Sequence, residues 1–161
     1  MKKRLCVIVL SVLTMAGCTF TGELYPVQGP LSTQPQSPVL LAKIRARSLN
    51  GFTPTDISVV LTDGEVCKGR WTEVPKGATT ADISLPGGSM SSAWDAVYGS
   101  GFYVAHVLGA TLYFRAVAIG SRGTLLEVEV FRPLDTDYAS NWGHVKGVAR
   151  DNKGNIYKLA F

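Results

Sequence analysis

Apolar and polar residues alternate with a period of two through most of this chain. In "PVLLAKIRAR", Leu40, Ala42, Ile44 and Ala46 share one face, and Leu41, Lys43, Arg45 and Arg47 share the other. That period predicts a strand buried on one side only. Ile57, Val59 and Leu61 repeat the pattern before Asp63-Gly64, a dipeptide that favours a hairpin between apolar runs. In the return strand "EVCKGRWTEV", Val66, Lys68 and Arg70 face one way. Glu65, Cys67, Gly69 and Trp71 face the other, with Trp71 as the expected core anchor. "TLLEVEVFRP" sets Leu126, Val128 and Val130 inward against Leu125, Glu127, Glu129 and Phe131. Gly120 to Gly123 and Asp151 to Asn155 read as turns, and Ile156 to Phe161 as a returning strand.

Two stretches depart from that period. "SSAWDAVYG" places Trp94, Val97 and Tyr98 at helical spacing, with Ser91 or Ser92 as cap and Gly99 as stop. "GFYVAHVLGATLYFRAVAIG" is apolar throughout, but it holds His106, Arg115 and many β-branched and aromatic residues. Two strands meeting near Gly109 are the expectation there. "PKGATTADISLPGGSMSS" reads as an irregular excursion with a short strand near Asp82 to Leu85, and "LDTDYASNWG" as a loop. The whole is seven to nine strands with at most one short helix. The predicted fold class is mostly β, a single small antiparallel sandwich or barrel.

The first residues follow different rules. Lys2, Lys3 and Arg4 precede an apolar run from Leu5 to Met15, and Ala16, Gly17 and Cys18 follow. A basic start, a short apolar core and small residues form a secretory signal. The run is well short of the roughly 20 residues that a spanning helix needs. Met15-Ala16-Gly17-Cys18 resembles the lipobox of bacterial lipoproteins, with methionine where leucine is usual. The resemblance implies that residues 1–17 are removed and that the sulfur of Cys18 carries acyl chains. Two or more such chains anchor stably, whereas one is marginal. Thr19 stands where an aspartate would favour inner-membrane retention in enterobacterial members. The implied address is therefore the outer membrane, on its periplasmic face, with the cell surface as the alternative.

This leader changes the reading of composition. The formal charge of +4 includes its three basic residues. From Cys18 onward thirteen basic residues face twelve acidic ones, so no footprint for nucleic acid is expected. Cys6 leaves with the leader and Cys18 is the lipid site, so Cys67 has no partner for an internal disulfide. A buried, thiol-bearing core residue is the expectation for it. Residues 18–37 carry Pro26, Pro30 and Pro35 and read as the lipidated cysteine with an extended tether. Residues 38–161 then form the all-β domain.

Chemistry-bearing motifs are scarce. His106 and His144 sit in no metal-ligand spacing, and no G-x-S-x-G elbow occurs. Asp135 and Asp137, and the run "DNKGN", offer oxygens but match no EF-hand loop. Ser100 between Gly99 and Gly101 is too short for a phosphate cradle. Asp63 and Glu65 flank a hairpin tip and are expected to be solvated. No catalytic residue, metal or cofactor is assigned. Trp142, in a polar Asn-Trp-Gly loop, is the expected exposed contact. Tyr157, Leu159 and Phe161 resemble the closing strand of outer-membrane barrels, although strand length and the Lys43-Arg45-Arg47 face argue for core packing instead. The functional expectation is a lipid-anchored envelope protein whose non-catalytic β domain binds a protein, a glycan or a small ligand. The alternatives are an assembly accessory acting by strand addition, a carrier barrel for an apolar ligand, and a hydrolase with an unrecognised site.

Overall fold

A computed structural model describes residues 18–46, 53–75, 89–108, 110, 112–133 and 144–161. Eight antiparallel strands succeed one another around a closed barrel: β1 (Cys18–Gln28), β2 (Leu40–Ala46), β3 (Pro54–Val60), β4 (Val66–Glu73), β5 (Leu112–Gly120), β6 (Leu125–Arg132), β7 (Lys146–Asp151) and β8 (Ile156–Ala160). β8 returns to pair with β1, with Leu24 opposite Leu159. Of the two predicted architectures, the barrel is the one formed. Closure gives every strand two hydrogen-bonded neighbours and so leaves no open sheet edge.

The alternation read from sequence is the inside–outside alternation of this barrel. Leu40, Ala42, Ile44, Ile57, Val59, Cys67, Trp71, Leu126, Val128 and Val130 belong to one buried interior cluster. Leu41, Lys43, Arg45, Lys68 and Arg70 stand outside. An interior this apolar beneath a charged wall is the reverse of a barrel surrounded by lipid. Six of the eight strands are also shorter than the roughly nine residues needed to cross a bilayer. Tyr157 and Leu159 of the last strand point into the interior and are core residues.

Glycines let the wall bend. A Cβ on Gly69 would stand 2.2 Å from the carbonyl oxygen of Val117, so β4 and β5 approach there as no other residue would permit. Three hairpins use one five-residue device. Leu61, Gly120 and Asp151 each donate an N–H to the carbonyl four residues on, across a glycine of positive φ at 64, 123 and 154. All three turns lie at one end of the barrel, where side chains tie them together. Asn152 Nδ2 donates to the Gly123 carbonyl at 3.1 Å, and the Arg122 guanidinium donates to the Asp63 carbonyl at 3.2 Å. The start of β1 lies at the opposite end.

Four expectations need correction. Residues 18–28 are not tether but barrel wall: Cys18 pairs with Ala46, and the prolines that suggested a linker fall at a bulge and beyond the strand. The two-sided hydrogen bonding of a closed barrel overrides their breaking tendency. Next, Tyr103–Val107 is not a strand but a π-helical turn. It follows the helix α1 (Ser91–Tyr98), and both lie outside the barrel, where Trp94, Tyr103, Val107, Tyr113, Phe131 and Val148 form a second buried cluster. The first half of the apolar run is a cover, and its second half, Leu112–Gly120, is the wall strand β5 as expected. Ser91 is the first helical residue rather than the cap; Met90 holds the cap position, and the Ser89 hydroxyl accepts the Ser91 N–H at 3.1 Å. Lastly, Glu65 is not solvated but 2% exposed. The predicted strand at 82–85 lies outside the described residues.

Candidate functional site

The outer wall of β1–β4 carries its side chains in rows, because antiparallel register aligns outward positions across strands. One row runs Thr21, Lys43, Ser58, Lys68. The next, nearer the start of β1, runs Thr19, Arg45, Asp56, Arg70. Each row thus sets two cations about a short polar residue on β3, at one strand spacing of about 5 Å on either side. All of these but Thr21 line an open depression of about 760 Å³, floored by Ile57 and Gly69.

The electrostatics are lopsided. Four cationic side chains meet one carboxylate, Asp56. Asp56 lies 3.8 Å from Arg70 Nε, both groups being well exposed, and such a pair contributes little. Lys43, Arg45 and Lys68 have no acidic partner among the described residues. Beyond the lysine row, toward the tight turns, the wall turns apolar. Leu41, Val60 and Val66 are aligned and exposed, and Ile119, opposite Lys68, is 62% exposed. Glu23 on β1 closes that row, opposite Leu41.

A second charged group is sealed instead of open. Under α1, Arg115 of β5 lies 3.5 Å from Glu127 and 3.6 Å from Glu129, and Arg150 Nε donates to Glu127 at 3.1 Å. Trp94 Nε1 donates to Glu129 Oε2 at 2.7 Å. Burial pushes the Glu129 carboxyl up, against the nearby Tyr113 hydroxyl, the Trp94 hydrogen bond and the Arg115 charge. Arg115 and Glu129 are only 2% and 1% exposed, and this network fastens the helical cover to the wall.

The residues singled out from sequence are scattered. Cys18 opens β1 beside Thr19, at the rim of the basic depression. Trp142 lies outside the described residues, as do Asp135 and Asp137. His106 is exposed on the π-helical turn, tilted against Phe102 with centroids 4.7 Å apart, and His144 is exposed before β7. Asp151 of "DNKGN" spends its oxygens on Lys153 N–H, Asn155 and the Tyr157 hydroxyl, a turn and not a cation cage. Cys67 is buried, which pushes its thiol up. Among the described residues no group of three His, Cys, Asp or Glu side chains could hold a metal. The basic wall escaped notice because sequence showed only that Lys43, Arg45, Lys68 and Arg70 faced outward. Their convergence depends on the β2–β3–β4 register. No family model, curated protein or solved structure matches this chain.

Proposed function

We propose that this is a lipid-anchored envelope protein whose barrel binds an anionic envelope component through the outer wall of β1–β4, without catalysis. The observation that carries the reading is the cationic depression beginning beside Cys18, the residue that the lipobox resemblance marks for acylation. A site with four cations and one carboxylate attracts anions, and its exposure keeps it available to a large partner. The outer membrane, periplasmic face, is the address that Thr19 suggests.

The competing readings have less to stand on. Strand addition to a partner needs an open edge, and every strand of the barrel is already paired on both sides. A carrier needs a vacant interior, whereas Leu24, Ile44, Ile57, Phe114 and Tyr157 occupy it as one cluster. For a hydrolase, neither exposed histidine has an acid and a nucleophile assembled around it among the described residues.

The anchoring half of the reading is tested by Cys18→Ala. The variant is expected to lose all metabolic labelling by fatty acid and to leave the mature membrane-bound form unformed. An unaltered acyl label, or native protein found soluble with an unmodified Cys18 by mass spectrometry, would refute it.

A further inference from the structure

We infer that the wall of β1–β4 lies side-on against the bilayer that holds the anchor, with its two basic rows on anionic phospholipid headgroups and its apolar row at the acyl boundary. This rests on the anchoring proposal above and adds the identity of the anionic component.

Three observations lead there. The first is the missing tether. Cys18 is itself a barrel residue, paired with Ala46, so acyl chains on it would start in the wall instead of at the end of a flexible lead. Arg45 sits opposite Thr19, one strand spacing away, and Arg70 lies three spacings from β1, about 14 Å. An anchored barrel therefore keeps all four cations within about 14 Å of the strand that carries the anchor. The second is charge. Lys43, Arg45, Lys68 and Arg70 oppose only Asp56 within the depression, and basic residues at an anionic surface act within a Debye length of roughly 8 Å. The third is the apolar row. Leu41, Val60, Val66 and Ile119 are exposed directly beside the lysines. A soluble polyanion would use the cations and leave that row idle. A membrane interface uses both, as basic residues flanking an apolar strip do on interfacial helices.

The test is amine labelling of the full protein in vesicles of phosphatidylcholine alone or with about 30 mol% phosphatidylglycerol. Lys43 and Lys68 should be protected about threefold or more in the anionic vesicles. Lys146, on β7 across the barrel, should not change. Protection should vanish at about 0.5 M salt. Lys43→Glu with Lys68→Glu should bring the remaining wall to the water, read by proteolysis or exchange of β3. Ile119→Asn should reduce protection in vesicles while leaving binding to heparin, a soluble polyanion, unchanged. Equal labelling in the two vesicle types overturns the inference. So does protection by heparin that vesicles of equal charge do not match, which would make the occupant a soluble polyanion. Mass spectrometry of Cys18 on the same sample keeps the two proposals apart. An unmodified cysteine ends the anchoring reading while the labelling still reports docking. An acylated chain with unprotected lysines ends the docking alone.

Discussion

At the scale of single residues, Glu65 shows how a surface-looking position becomes structural. It follows a turn glycine, yet its carboxylate accepts from the Thr124 hydroxyl at 2.6 Å and from the Arg122 backbone N–H. A Cβ on Gly120 would collide with it, so that glycine makes its berth. The Thr124 hydrogen bond is the main cause that holds the Glu65 carboxyl below its usual range; burial opposes it, and the Arg122 N–H and charge assist. Asp63 is lowered too, by the Glu65 backbone N–H and then Arg122. A carboxyl whose folded pKa is depressed stabilises the fold above its unfolded pKa and loses that contribution as pH falls through the folded value. Thermal melts should therefore decline below about pH 4, where free carboxyls protonate. Glu65→Gln should melt lower than the parent at neutral pH and lose less on acidification. Parallel pH profiles for the two proteins would contradict this assignment.

At the scale of elements, the barrel wall and its cover obey different periods. β2 alternates cleanly, because one face meets the core and the other meets water, whereas β6 is buried on both faces because its outer one meets the cover. The cover is held by aromatic packing and by charged contacts, among them Trp94 on Glu129 and Lys146 and Lys158 over the Tyr98 ring. Trp94 stacks on Tyr98 and Phe102 and meets Phe131 edge-on. Its indole N–H satisfies buried Glu129. Trp94→Phe would keep much of the ring contact but leave that carboxylate oxygen without its donor. The expected cost is about 1–3 kcal/mol in urea unfolding, the range for an unsatisfied buried polar group. Hydrogen exchange should quicken over 91–107 before it does so in β5–β6. A variant as stable as the parent would show that the contact is incidental. Within the apolar run at 101–120, Leu112–Gly120 is the expected strand, but 103–107 misled at this scale because exclusion from water, not strand pairing, selects those residues. Only the wall beneath it distinguishes a second layer from another strand.

At the scale of the whole molecule, closure governs stability. β1 is the first strand and β8 the last, and their pairing seals the barrel. A chain ending at Asn155 would expose the edges of β1 and β7 and remove Tyr157 and Leu159 from the core. It should lack a cooperative unfolding transition and aggregate, as measured by calorimetry and light scattering; a soluble, cooperatively melting product would show that closure is dispensable. The same closure directs binding outward, since the interior is spent on the core and the sheet has no free edge. What sequence alone determined is the local part: the strands, their inward and outward faces, three hairpin turns, the helix at 91–98 and the lipobox resemblance. Each depends on neighbours two to four residues apart, and period, turn chemistry and capping report such distances. Tertiary structure alone decided that 18–28 is wall and not tether, that 103–107 is cover, that Glu65 and Glu129 are buried, and that four outward cations form one site. Those facts depend on strand register and on contacts between residues tens of positions apart, and a one-dimensional pattern carries no signal for either.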